Sequence, residues 1–298
     1  MAIVQAPLRV RPDSPHLRLL ASDAARRNAV SEHEVFVRLL LHLPRKATEA
    51  GVVDPRFAVA EADRLAGRLS YRTSAYTALT RPPPDPLEAS DLSLVPVDDA
   101  VARVVLERFH YLESFRRDSA HYAGMAGTDR LAALLTLSSL DVGTIAQYLP
   151  ARVSAEDVLV VSRVFAFGWA PPNALSFLLA RLVRSLRARQ TTPRLLLTYL
   201  NPNVGFTGAS YRAANWRLWA HESGTQYAYV DGDYITDREL AARFGTGDPQ
   251  SLARALGDRI AFSRMPLKPL QLYAYPIDVR LRPGLHAAEP VDLPHPSP

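Results

Sequence analysis

Four prolines fall within the seven residues from Thr80 to Pro86, TRPPPDP, and they divide the chain. Proline carries no backbone N–H and fixes φ, so this run can be neither helix interior nor central strand and reads as a stiff extended linker. Ahead of it the apolar residues recur at helical spacing. Ser31-Glu32-His33-Glu34 fits a capping box and is followed by Val35, Phe36, Leu39 and Leu40, which predicts a helix from about 32 to 43. Asp54-Pro55 supplies an N-cap with proline at the first helical position, and Val59, Ala62, Leu65 and Leu69 form one stripe of a second helix. Residues 1 to 30 have no clear period and are expected to be an irregular or partly helical lead-in. The expected organisation is a helical segment with its linker over 1–90, a main domain over 91–282, and a disordered tail over 283–298, where Pro, His and Ala dominate.

Beyond the linker the pattern alternates. Leu92 to Val97 reads as a strand, and Asp98 or Asp99 caps a helix that carries Val101, Val104, Val105 and Phe109 on one face and ends near His110-Tyr111. His121 to Ala126 and Leu131 to Ser138 read as a hairpin joined by Gly127-Thr128-Asp129-Arg130. Val158 to Phe167 is a third strand. Asn173 is expected to cap a long amphipathic helix that buries Leu175, Leu178, Leu179, Leu182, Val183 and Leu186 and leaves Arg181, Arg184 and Arg187 outside. A leucine-rich strand follows at 195–200. A hairpin is expected between Trp216 to His221 and Gln226 to Val230, turning through Ser223-Gly224, then helices around 237–244 and 249–256 and a last strand at 270–277. The fold class is α+β, a mixed sheet flanked by helices.

Composition removes several chemistries. There is no cysteine, so thiolate nucleophiles, disulfides and Cys-ligated zinc are excluded, and no His/Asp/Glu cluster has metal-ligand spacing. No apolar run reaches the roughly 18 residues of a membrane span, which makes the cytoplasm the expected compartment. A formal charge of +5 and a pI of about 9.6 permit an anionic partner, although arginine in place of lysine is also what a GC-rich genome produces.

The chemistry is expected in Arg194 to Trp219, where a strand breaks into a polar, Gly-containing turn and resumes as a short helix. Open α/β folds hold ligands at such strand ends. Asn201, Asn203, Thr207, Ser210, Tyr211 and Asn215 crowd hydrogen-bonding groups into this stretch, and the same residue types also suit plain turns. Tyr211 and Asn215 are four apart and are expected to share a helix face.

Phe109-His110-Tyr111, Val161-Ser162-Arg163-Val164-Phe165 and TYLNPNVGFTGASYRAANW from Thr198 to Trp216 together resemble the Mom-type phage DNA-modification proteins, a divergent GNAT-like acyltransferase family. The likeness covers roughly Val97 to Ile277, and its most specific part is Gly208, Tyr211, Arg212, Ala213, Ala214, Asn215 and Trp216. It implies a GNAT-like sheet and transfer of an acyl group to an amino group, that of adenine in DNA. Acyl transfer needs a base for the amine, donors for the oxyanion, and alignment of two substrates. His110 is the expected base, and Tyr111 and Tyr211 the expected acids. Asn201, Asn203, Ser210, Arg212, Asn215 and Arg163 are expected to bind substrate, and Arg116, Arg117, Arg212 and Arg217 to bind nucleic acid, DNA or tRNA.

Two departures shape the expectation. Acetyl-CoA enzymes of the GNAT class offer backbone amides to the pyrophosphate ahead of the long helix, whereas this chain has Gly168-Trp169-Ala170-Pro171-Pro172-Asn173, whose prolines remove two donors. That leaves acyl-CoA or aminoacyl-tRNA as the donor, with the second favoured. Asn201 stands where the resemblance leads one to expect an acid, and Asp231 or Asp233 would be its substitutes unless they only shape a turn. A small-molecule acyltransferase and a catalytically inert nucleic-acid-binding relative are the alternative readings.

Overall fold

The computed structural model describes residues 7–76, 79, 81–140, 149, 153–188, 193–222, 226–278, 280–281 and, for the backbone, 291–293. Its first part is built on three helices. α1 (Pro15–Asn28) starts on the Ser14 hydroxyl, which accepts the Leu17 N–H, with proline at the first helical position. The sequence hides this helix because its buried stripe, Leu17, Leu20, Ala21, Ala24 and Ala25, is mostly alanine. α2 (Glu32–His42) is capped by Ser31 and α3 (Pro55–Ala75) by Asp54, as their sequences predict. A two-stranded ribbon, β1 (Leu8–Arg9) with β2 (Val52–Val53), ties the start of the chain to the turn before α3.

The main body is an eight-stranded sheet. Its strands are β3 (Leu92–Val97), β4 (Ser119–Ala126), β5 (Arg130–Ser139), β6 (Val158–Ala166), β7 (Leu195–Leu200), β8 (Arg217–Glu222), β12 (Leu270–Pro276) and β13 (Val291–Leu293), in the spatial order β13-β8-β12-β7-β6-β5-β4-β3. β6 and β7 run parallel, as do β13 and β8; the other pairs are antiparallel. α4 (Asp99–Arg108) packs Ala102, Val105 and Leu106 with Leu134 and Phe165 on one face. α5 (Ala174–Arg187) packs Leu178, Leu179 and Leu182 with Leu135, Val161 and Leu196 on the other. The expected GNAT-like order of strand, helix, hairpin, strand, long helix, strand, short helix and hairpin is present up to the short helix, α6 (Ala209–Ala213), and departs at the closing hairpin.

Three expectations are corrected. β8 pairs with β12 and not with residues 226–230, which form β9 (Ala228–Val230) in a separate three-stranded sheet with β10 (Asp233–Ile235) and β11 (Ile260–Phe262). Alternation marks 226–230 as a strand but cannot name its partner, and the expected turn residues Ser223 and Gly224 lie outside the described residues. That small sheet, α7 (Asp237–Phe244) and α8 (Pro249–Leu256) enclose their own core of Val230, Ile235, Leu240 and Leu252. Asn173 precedes α5 in the left-handed region at φ 63° and makes no side-chain cap. Within the expected tail, Val291–Leu293 add an outer strand, and the rest of that stretch lies outside the described residues.

The N-terminal helices share one core with the main body. Val204, Tyr227 and Tyr229 are buried among Leu39, Leu40, Leu65 and Leu69, and the Tyr229 hydroxyl donates to the Leu41 carbonyl at 2.8 Å. His42 sits in this interface. Burial lowers its pKa first and the Arg64 charge lowers it further, against the pull of Glu61, so that the ring comes down to about 4 from 6.5. An unfolded chain binds a proton below pH 6.5 that the folded ring refuses, so His42 withdraws stability as pH falls from 6.5 toward 4 and costs nothing above. His42→Gln is expected to flatten the fall of the thermal unfolding midpoint between about pH 6.5 and about pH 5. An identical pH slope in the variant would sink this assignment.

Candidate active site

A cleft of about 300 Å³ opens where β6 and β7 part. The two strands pair only from Val158–Val160 to Leu195–Leu197, and at the next position the Thr198 hydroxyl donates to the Val161 carbonyl at 2.9 Å. The register of β6 against β5 also slips here: Leu137 faces Val161 and Thr136 faces Arg163, which leaves Ser162 as an extra, bulged residue. A bulge exchanges the two faces of the strand beyond it. Val161 thus joins the core under α5, while Phe165 joins the core under α4, two faces that an unbroken strand could not serve from residues four apart. Arg163 is thereby brought to the α4 side, beside the strap that follows that helix.

The strap carries His110 and Tyr111. His110 is 3% exposed and its Nδ1 accepts the Leu112 N–H at 3.1 Å, so the neutral ring carries its proton on Nε2. Burial, then the charges of Arg163 and Arg38, hold its pKa well below the usual value. The base role expected of His110 therefore does not fit: one nitrogen is occupied and the other is a donor. Tyr111 lies against His110, with ring centroids 4.6 Å apart, and meets Phe206 edge-on at 5.3 Å. Burial pushes the Tyr111 hydroxyl up to about 12, so it too stays protonated.

From the far wall come Thr198, Ser210 and Tyr211. The Tyr211 hydroxyl lies 3.2 Å from Thr198 Oγ1, and burial raises its pKa. The Thr198 hydroxyl is the donor, directed at the Val161 carbonyl and at the Tyr211 oxygen, so Tyr211 accepts from Thr198 and keeps its own hydrogen to give. Arg163 lines the floor. Its guanidinium donates to the Ser162 carbonyl at 2.8 Å and to the Ser114 hydroxyl at 3.1 Å, its Nε is buried with no partner, and no carboxylate among the described residues pairs with it. Burial lowers its pKa. His110, Tyr111, Tyr211, Ser210 and Arg163 thus meet in one cleft whose lining contains no carboxylate.

The other expected site residues serve the turn. The Asn201 amide donates to the Tyr227 hydroxyl at 2.7 Å and its carbonyl accepts from the backbone and side chain of Asn203. Asn203 exchanges a pair of hydrogen bonds with the Lys268 backbone, at 2.9 and 2.8 Å. Arg212 donates to the Thr207 carbonyl and the Tyr273 hydroxyl. Asn215 is exposed at φ 64°, past the end of α6, and the Trp216 N–H reaches back to the Tyr211 carbonyl. It is the left-handed residue that stops the helix, so the face expected to be shared with Tyr211 does not exist. Gly208 is needed at φ 75° because a Cβ there would stand 2.4 Å from the Tyr273 hydroxyl.

Arg116 and Arg117 precede β4 while Arg217 opens β8, five places away in the sheet, so the expected arginines do not form one patch. Asp231 is engaged by Arg259, and Asp233 by Arg64 and Arg68; neither lines the cleft. Sequence reasoning missed His33 and Phe206 at the cleft.

A second hollow of about 320 Å³ adjoins the first through Leu175, Ala209 and Ser210, and reaches Phe167, Ala170, Pro171 and Asn173 at the start of α5. Pro171 and Pro172 offer no amide there, and the Ala170 and Ala174 amides are spent on the Phe167 and Pro171 carbonyls.

Among solved structures the chain is similar to a Bacillus subtilis acetyltransferase in complex with CoA, at 10% identity, with 62% of this chain and 98% of that chain covered and a TM-score of 0.35. It is similar also to a spermidine N-acetyltransferase from Vibrio cholerae in complex with CoA and spermine, at 8% identity, 65% and 99% coverage and a TM-score of 0.36. A ribosomal L7/L12 alpha-N-protein acetyltransferase is matched at 12% identity, 62% and 93% coverage and a TM-score of 0.34. These are likenesses of outline and carry no chemistry. No curated protein matches the chain. The model of the Mom protein family matches residues 91–286.

Proposed function

The chain belongs to the Mom protein family, and from that premise we propose that it transfers an acyl group from an activated ester or thioester to the exocyclic amine of a nucleobase, adenine in DNA. The observation that carries the reading is the cleft itself: it is rich in donors, holds the cation Arg163 and has no carboxylate in its lining. An alkyl amine, with a pKa near about 10, arrives protonated and needs an acid nearby to bind it and a base to free it. An aromatic exocyclic amine is neutral at pH 7 and needs neither. A buried guanidinium also repels a polycationic acceptor.

In this reading the amine nitrogen attacks the acyl carbon and the carbonyl oxygen takes up negative charge. The Arg163 guanidinium and the Nε2–H of His110 face that charge, in a site where preformed donors count for more than in water. The C–N bond remains, the bond to the donor's oxygen or sulfur breaks, and Tyr111 or Tyr211 gives its proton to the leaving group while the amine's proton replaces it. The start of α5 offers a CoA pyrophosphate fewer amides than an unbroken turn would, because Pro171 and Pro172 have none and those of Ala170 and Ala174 are spent. The two amides missing at Pro171 and Pro172 favour an aminoacyl ester of tRNA as the donor.

The test is mass spectrometry of nucleosides from the DNA of cells expressing the protein, beside cells expressing Arg163→Met. A new deoxyadenosine mass in the first and not the second is expected. Unmodified DNA together with an acylated small amine would replace this reading with the small-molecule one.

A further inference from the structure

Residues before 91 lie outside the family match, yet they hold the strap that carries His110 and Tyr111. α4 ends without a glycine, and its last carbonyls turn toward the N-terminal helices. Arg72 of α3 donates to the Arg108 carbonyl at 3.4 Å; Arg38 of α2 donates to the Phe109 carbonyl at 2.7 Å and the His110 carbonyl at 3.3 Å. Helix ends attract cations, but here the cations come from another part of the chain. Arg38 is 1% exposed, a burial that a guanidinium tolerates only with its hydrogen bonds made.

The strap closes on itself at Glu113, whose φ of 50° places a non-glycine residue in the left-handed region. Glu113 donates its N–H to the His110 carbonyl at 3.0 Å, and its carboxylate receives Arg38, Arg68 and Arg72, with Arg72 Nη2 at 2.8 Å. Burial alone would raise the Glu113 carboxyl; the hydrogen bonds and charge of Arg72, with Arg38 and Arg68, outweigh it and hold it below the usual range. Between Phe109 and Glu113 lies the Leu112 N–H bond that fixes the His110 tautomer. Both ends of the strap are therefore anchored by guanidinium groups of α2 and α3, and the ring between them has one orientation and one donor.

We propose that Arg38 and Glu113 form a positioning pair through which the N-terminal helices set the orientation and tautomer of His110, so that this segment is part of the active site. The proposal rests on the functional reading above only for its kinetic arm. Its structural arm is nitrogen NMR of the full chain labelled at histidine, with His110→Gln used to assign the His110 signals. Wild type is expected to give one neutral tautomer with the proton on Nε2. Glu113→Gln, which keeps the shape of the side chain and removes its charge, and Arg38→Met are expected to give averaged ring nitrogens. Arg38→Lys, which keeps the charge and loses the fork, is expected to lie between them.

In the kinetic arm, kcat for base modification is expected to fall by about 10- to 100-fold in Glu113→Gln with KM within about twofold, because misplacement of a group that touches the substrate is paid in kcat. A wild-type His110 signature in Glu113→Gln overturns the proposal whether or not Arg38→Met folds. A lost signature with unchanged kcat overturns it as well. Absence of modification in wild type with the NMR pattern as described leaves the positioning pair standing and removes the acyl-transfer reading.

Discussion

Arg163→Met is expected to abolish most of the activity while leaving the protein as stable as before or more so. The two effects have separate causes. A guanidinium held by one hydroxyl and one carbonyl, with a buried Nε unpartnered and no carboxylate beside it among the described residues, has lost its water without full recompense. Methionine keeps the aliphatic bulk and removes that cost, so the thermal midpoint should hold or rise. In the proposed reaction the same change deletes the cation that would face the developing oxyanion, a loss of about 10²- to 10³-fold when a single preorganised donor is removed. Thermal unfolding and nucleoside mass spectrometry on the same preparation read both. A variant that melts early would make Arg163 a structural residue, and one that keeps its rate would free it from catalysis. Lysine is not expected to rescue, since it lacks the planar fork.

Tyr211→Phe should cost about 10²-fold in turnover, the usual yield of a positioned proton donor. Its hydroxyl is the one polar atom lost, and the ring keeps its packing on Trp216 and Tyr273, with centroids 5.7 and 5.6 Å away. Asn215→Ala should change turnover by no more than about twofold, because that side chain stands in solvent beyond the helix stop. The contrast is the measurement: a larger loss in Asn215→Ala than in Tyr211→Phe would return the acceptor to the exposed face of α6 and empty the cleft of its role.

The elements legible in the sequence are those whose signals are local. Ser31 and Asp54 mark their helices through caps that the structure repeats, and the leucines of β7 announce a strand covered on both faces. What could not be read depends on partners far along the chain. The strand at 228–230 is real, but its neighbours are β10 and β11, and no property of those three residues says so. Of the polar crowd at 201–215, only part lines the cleft, since Asn201, Asn203 and Arg212 satisfy the turn that carries Ser210 and Tyr211. One signal was there to be used. Arg38 interrupts the run VFVRLLLHL, and a charged residue in so apolar a stretch must be buried against a partner.

The extra residue at Ser162 bears on how this chain is compared with any other. Past that point β6 has changed parity, so a strand of equal length without the bulge presents the opposite set of side chains to the cleft. Aligned residue for residue, such a strand would match Arg163 to a position that faces the helix on the other side, and would report the arginine as missing when it has only been displaced by one. A gap of a single residue, placed at 162, restores the correspondence. The same arithmetic makes a one-residue deletion there more severe than any single substitution, because it turns over Arg163, Val164 and Phe165 together.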